Sequence, residues 1–461
     1  MVKDVHCPLL FVFLVAAVAL VTVHGQIQSI CTDSRIMHKF VTLDYDWPND
    51  TAKDSSIANE EYIVNNNIIS GMKVYDDNVY VTVPRWRRGV PSTLNKVIVR
   101  NGESILQPFP SWEVQKIGDC RALQYVQSME IDPNTGWMWI IDTGRINFFA
   151  ADGTPTQNLC PAKIIVYDIK NSVELTRYEF PNEVAERETT FLNDIVIQYV
   201  NDESRYAYIS DALAFRMVVY DRVLNTSHYF SHPASMEPEP GNGNITILGE
   251  TLPVSAGING MALSWDMKYV YYGPVSGYSL YRVPTSVASQ PGGNFAGSVR
   301  KVGNKPSQAA GMAYSKNDFL YFPALGENAI YRWDIKLDMT LQNTDIANVE
   351  MKALTRVLQD DQCMVFVDIL NFNNDGSLWF SVNKLNKFLL TSMDFTGNSG
   401  ANVLIWKVPI GDTGYLDRTA APTEPPVTDD GSNGADITSS PGFIVYSFLT
   451  LVLSVFFSRQ F

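Results

Sequence analysis

Gln127-Ser128-Met129-Glu130-Ile131, then Asp132-Pro133-Asn134-Thr135-Gly136, then Trp137-Met138-Trp139-Ile140, is an apolar strand, a tight turn and an aromatic-bearing second strand. Asp, Asn, Pro and Gly accept the dihedrals that short turns need, so the stretch predicts a β-hairpin. The same unit returns five more times. Its second strands are anchored on Tyr80, Trp139, Tyr208, Tyr271, Tyr321 and Trp379, spaced 59, 69, 63, 50 and 58 residues apart. Similar turns precede the other anchors, among them Asp76-Asp77-Asn78, Asn201-Asp202-Glu203 and Asn373-Asn374-Asp375-Gly376. A third apolar strand often follows, ending in pairs such as Tyr167-Asp168 and Tyr220-Asp221, and no amphipathic helix is evident between units.

A unit of roughly constant length that cannot bury its own apolar faces must stack against copies of itself. The fold class expected is therefore all-β, a six-bladed β-propeller of four-stranded antiparallel blades over residues 31–415. A pair of β-sandwiches would not carry one period through six units.

The chain has 461 residues, 46% of them hydrophobic and 18% charged, with a net charge of −14. That sign opposes nucleic-acid binding, which needs cations to displace phosphate counterions. A cationic ligand is the natural partner, although charge of this kind also serves solubility. Residues 1–25 read as a secretory signal: Lys3, an apolar run from Leu9 to Val23, and a small-residue site at Val23-His24-Gly25. Residues 416–442 read as a disordered linker rich in Pro, Thr and Asp. Residues 443–461 form a hydrophobic tail, too short to span comfortably as a helix. Small residues, a polar spacer and an apolar end resemble a glycolipid-anchor signal, with a short membrane anchor as the other reading. The product is expected to be extracellular, with possible membrane association through this tail.

Four cysteines follow the signal, which allows two bridges and three pairings. Cys120 and Cys160 flank one repeat, so their bridge would clamp it. Cys31 precedes the first repeat and Cys363 lies in the last, so their bridge would tie the ring's start to its end. Asn49, Asn225 and Asn244 open glycosylation sequons. No P-loop, dinucleotide fingerprint or Gly-x-Ser-x-Gly occurs, and no cofactor is expected. His228 and His232, four residues apart beside Pro233, suit a surface loop better than a metal site.

In a propeller the first strand of each blade lines the central channel. The opening positions are Ser70, Gln127, Asn193, Asn259, Ala310 and Val367, followed by Gly71, Ser128, Asp194, Gly260, Gly311 and Asp368. Asn193, Asp194, Asn259 and Asp368 would bring amides and carboxylates to one axis. Such a group could hold a ligand ammonium, or a channel calcium at Asn193, Asn259 and Asp368, or simply water. Tyr80, Phe322 and Trp379 could stack on a flat ring, although the repeat itself demands aromatics there.

Several motifs carry a family resemblance: Val83-Pro84-Arg85-Trp86, Gly89-Val90-Pro91-Ser92-Thr93-Leu94-Asn95, Leu106-Gln107-Pro108-Phe109-Pro110, Ile141-Asp142-Thr143-Gly144-Arg145, Cys160-Pro161-Ala162-Lys163 and Gly260-Met261-Ala262-Leu263-Ser264. In order, from about residue 35 to about 410, the chain resembles the insect Yellow / major royal jelly protein family. The linker and apolar tail are not general features of that family. The resemblance implies a secreted six-bladed propeller with a ligand pocket at the channel mouth. It further implies a role in cuticle pigmentation and the melanin pathway, by binding or converting catechol or indole compounds such as dopachrome. Some members bind biogenic amines such as serotonin and others are nutritional glycoproteins, so a non-catalytic amine binder or a structural patterning protein is the alternative. A dopachrome isomerase or decarboxylase would need a base and a cation for the substrate carboxylate. Asp194 or Asp368 is the candidate base, with Arg85 or Arg145 as the clamp. Asn193, Asn259, Tyr80 and Phe322 are the candidate ligand contacts.

Overall fold

The computed structural model describes residues 31–150 and 152–418. The expected signal, most of the linker and the apolar tail lie outside them. Six four-stranded antiparallel sheets follow one another along the chain. The strands nearest the axis are Gly71–Tyr75, Val126–Asp132, Leu192–Val200, Ile258–Leu263, Ala313–Tyr314 and Val367–Phe372. Each pairs with the next strand in sequence, and these second strands carry the six anchors. Every anchor is at most 3% exposed. The turns between first and second strands behave as their residues demand. Asp76 and Asp77, like Asn201 and Asp202, have positive φ at both central positions, the twist-compatible hairpin geometry.

The last blade lacks a fourth strand of its own. Its strand Val403–Pro409 pairs instead with Ile36–Phe40 from the start of the domain, with Lys39 opposite Leu404 and Phe40 opposite Val403. A disulfide between Cys31 and Cys363 ties the same two ends of the chain. A second joins Cys120 to Cys160. Both pairings are those expected from the order of the cysteines.

Three features depart from the sequence reading. Short helices do intervene, at Asp50–Ala58, Ile335–Gln342 and Leu385–Leu389. The first buries no residue, so no apolar period marks it, and Asn49 caps it by accepting a hydrogen bond from the Ala52 N–H. A two-stranded hairpin, Asn244–Ile247 with Glu250–Pro253, projects from between blades three and four. The domain also continues past residue 415: Leu416 and Asp417 are buried, and Gly414 bridges to Ser315. The three sequon asparagines are exposed.

The two disulfides enclose very different stretches of chain, 332 against 40 residues. Loop-closure entropy then makes the ring-closing bridge the more stabilising by about 2 kcal/mol. Replacing Cys31 and Cys363 by serine should lower the denaturation midpoint more than replacing Cys120 and Cys160. Equal losses in chemical denaturation would show that ring closure does not depend on the covalent tie.

Candidate functional site

The inner strands start at one mouth of the channel, and a cavity of about 830 Å³, counting the part open to solvent, lies there. All six blades reach it. Ser70, Gln127, Asn193, Asn259, Ala310 and Asp368 come from the beginnings of the six inner strands, and Asp194 lies on its floor. At the sixth blade Asp368 takes the place expected of Val367, which is buried and does not line the space. The walls are apolar and arrive from loops: Trp86, Phe149, Phe191, Leu252, Phe366 and Leu389 are among them. Phe366 is held at φ +64, a left-handed conformation that is unfavourable for a bulky residue. Such strain, on the order of 1–3 kcal/mol, concentrates at binding sites, where the surrounding fold imposes it.

The polar floor is tightly wired. Tyr125 donates its hydroxyl to Gln127 Oε1 at 2.7 Å, and Gln127 Nε2 donates to Ser70 Oγ at 2.6 Å. The Ser70 hydroxyl hydrogen-bonds the Asp368 carboxylate, and Asn383 Nδ2 donates to Asp368 Oδ2 at 2.7 Å. Asp194 accepts from the N–H groups of Ile195 and Met261, each at 2.9 Å, and from Ser128 Oγ at 3.3 Å. These donors do not cancel the cost of burial. Burial pushes Asp368 up to about 7, against the Asn383 hydrogen bond and with help from the nearby Asp194 charge. Burial likewise pushes Asp194 up to about 6, opposed by the charge of Lys73 and by its backbone donors. The amide side chains of Asn193 and Asn259 have no hydrogen-bond partner among the described residues, which leaves both free for a ligand. No three His, Cys, Asp or Glu side chains converge as a metal set among the described residues.

The structure thus brings together Asn193, Asp194, Asn259 and Asp368, and leaves the remaining candidates elsewhere. Arg85 is 1% exposed and donates to five backbone carbonyls, those of Val90, Pro91, Gln115, Leu123 and Gln124. It staples loops and has no N–H left for a substrate carboxylate. Arg145 donates to Asn158 Oδ1 and the Thr190 carbonyl, both at 2.8 Å, and lies over the Phe148 ring. Neither arginine lines the cavity, and neither does any other arginine or lysine. Tyr80, Phe322 and Trp379 are buried between strands as the repeat requires, with Tyr80 edge-on to Phe109, and none lines the cavity. The aromatics that do line it were missed, because they sit in loops where no period marks them. Trp86 alone was in view, inside a quoted motif.

Known proteins match this chain over most of its length. The family model described as "Major royal jelly protein" matches residues 124–410. Major royal jelly protein 7 of Apis mellifera is 28% identical over 375 residues, covering 78% of this chain and 82% of its own. Protein yellow of Drosophila melanogaster is 26% identical over 382 residues, covering 80% of this chain and 67% of its own. Among solved structures, a virginiamycin B lyase from Staphylococcus aureus aligns over 68% of this chain and 78% of its own, at 13% identity and a TM-score of 0.39, too distant a likeness to bear on function. With more than half its length matched by the family model, and with the quoted motifs falling at three of its six blades, the chain belongs to the Yellow / major royal jelly protein family.

Proposed function

We propose that this is an extracellular protein of the pigmentation pathway that binds a flat catechol or indole compound at the channel mouth. The observation that carries the reading is one cavity with aromatic and aliphatic walls above two buried carboxylates whose protons are held to near-neutral pH. A ring packs against Trp86, Phe149 and Phe366, while Asn193, Asn259 and Asp368 take its polar substituents. Buried acids with raised pKa values mark sites where a protein retains a costly group for a purpose. Asp368, titrating near neutrality, is suited to abstract a carbon-bound proton in the tautomerisation of dopachrome, where a proton moves and no electrons are lost. A carboxylated substrate would find no cation in this cavity. A protonated aromatic amine such as dopamine or serotonin is the better electrostatic match. The two disulfides fit an oxidising compartment. The proposal includes surface anchoring through the apolar tail, which release by phosphatidylinositol phospholipase C would support.

Calorimetric titration with dopamine and serotonin should give saturable binding that weakens at least tenfold in Asp368→Asn. The ammonium pairs with the ionised acid, so affinity should fall about tenfold per pH unit below pH 7 and level off above it. The absence of heat from either amine, or an affinity independent of both pH and Asp368, would refute the reading. Turnover is tested separately, by whether purified protein speeds the spectroscopic decay of dopachrome over a buffer blank.

The same acid has a stability signature. Folded Asp368 keeps its proton to about pH 7, whereas an unfolded aspartate loses it near pH 3.9. Between those values the native state binds more protons, so this contribution is complete below about pH 4 and is lost as pH rises through 7. The span corresponds to at most about 4 kcal/mol. Asp368→Asn should therefore be more stable than the parent at pH 8 and show a flatter dependence of unfolding midpoint on pH. A variant less stable at pH 8 would mean that the carboxylate is better satisfied than its burial indicates.

A further inference from the structure

The inner strands end at the opposite mouth, where a second cavity of about 900 Å³, again including space open to solvent, lies around the axis. It differs in kind from the first. Lys73, on the inner strand of blade one, places Nζ 2.9 and 3.0 Å from the two carboxylate oxygens of Glu130, on the inner strand of blade two. Both side chains are largely buried, at 14% and 5% exposure. Asp194 lines this cavity as well as the first. Apolar surface from Met261, Met312 and Phe372 completes the wall.

One phenol is already held here. The segment after the last blade crosses this mouth, and Tyr415 points its hydroxyl into the polar group. That hydroxyl accepts from the Ile197 N–H at 3.0 Å and donates to Glu130 Oε2 at 3.2 Å. The Tyr415 N–H is fixed by the Tyr314 carbonyl at 2.9 Å. One cation, Lys73, and four acids, Asp76, Glu130, Asp194 and Asp417, line the chamber beside it, and Glu130 and Asp194 come to Lys73 from separate blades. Lys73 has three donors, and its partners among the described residues are the Glu130 oxygens alone. Asp194 Oδ2 accepts one hydrogen bond, from Met261 N–H, and has room for a second.

We propose that this second chamber is a binding site for the zwitterionic head of an aromatic amino acid. Lys73 takes the ligand carboxylate through its remaining donor. Asp194, with Glu130 behind it, takes the ammonium. The ring lies against the methionine and phenylalanine wall. The pairing uses both charges of the ligand, whereas the first cavity, without a cation, can use only one. A carboxylate alone would meet the surrounding acids with nothing to offset them, and an amine alone would leave the remaining Lys73 donor unused, so neither half of the head group suffices.

The test is a calorimetric titration of the purified Asp368→Asn protein, whose first cavity has lost its ammonium partner, with L-tyrosine, tyramine and 3-(4-hydroxyphenyl)propionate, which differ only in the head group. L-Tyrosine should bind at least tenfold more tightly than either analogue. Lys73→Met should remove that preference, and Lys73→Arg, which keeps the charge and guards against a folding defect, should retain it. Dopamine and serotonin binding to the parent protein reports on the first cavity separately, so failure of one site is distinguishable from failure of the other. Tyramine binding as tightly as L-tyrosine, an L-tyrosine affinity insensitive to Lys73→Met, or no L-tyrosine binding at millimolar concentration would each overturn the proposal.

Discussion

Closure of the ring is the constraint on which the rest depends. Six sheets that each leave apolar faces uncovered are stable only when every face meets a neighbour. The last blade is completed by Ile36–Phe40, a strand that begins the domain, so the first and last parts of the fold must form together. The Cys31–Cys363 bridge makes that long-range pairing covalent. Only in the closed ring do the beginnings of six inner strands face one axis. Without it, Ser70, Gln127, Asn193, Asn259 and Asp368 would share no space, since they are spread over about 300 residues of chain.

The electrostatics of the hub follow from the same geometry. A propeller channel is narrow, and side chains pointing inward have few water molecules to turn to. Most of the polar groups at the first mouth are satisfied by one another, through Tyr125, Gln127, Ser70, Asp368 and Asn383 in series. Two acids in that setting are expensive, and hydrophobic residues of similar size would stabilise the fold more. Their retention in a core otherwise built from tyrosine, tryptophan and branched aliphatics is the reason to read the mouth as a site. The fully buried Lys163–Asp142 pair, 2.8 Å apart, is a contrast. There Asp142 also accepts from the N–H groups of Gln124, Tyr125 and Gly144, and neither partner lines either of the two cavities. That pair holds loops together, whereas Asp368 has open space before it.

What the sequence revealed was whatever a repeat must state locally. The anchors Tyr80 to Trp379 were legible because each blade needs one large ring at the same depth. Turns such as Asp76-Asp77 were legible because positive φ restricts the residues allowed. Asp194 and Asp368 were legible because they sit at or beside the opening of an inner strand, a position that topology alone sends to the axis. The cavity walls were not. Phe149, Leu252 and Leu389 come from excursions of unequal length between strands, and nothing in their neighbourhood records that they meet. Arg85 misled for a related reason: an arginine in a motif that carries the family resemblance suggests an anion, yet its partners are carbonyls up to 39 residues away, invisible without the fold. Helix Asp50–Ala58 was hidden because it packs no face on the core.

Asp194 links the two ends of the channel. It lines both cavities, its charge raises the pKa of Asp368 on one side, and it is itself stabilised by Lys73 on the other. Interactions between titrating groups are reciprocal, so a proton gained by Asp368 lowers the cost of ionising Asp194 by the same amount. A cation arriving at the first mouth favours the ionised form of both acids. The zwitterion proposed for the second mouth sets its carboxylate beside Lys73, which draws that charge away from Asp194, and its ammonium on Asp194, which favours the ionised form. The two charges of that ligand therefore act oppositely on Asp194, and the ammonium, in direct contact with it, is the stronger. A narrow hub with little water between the two groups screens this interaction far less than a surface would. The two mouths of this propeller are chemically distinct, and they are joined through a single carboxylate.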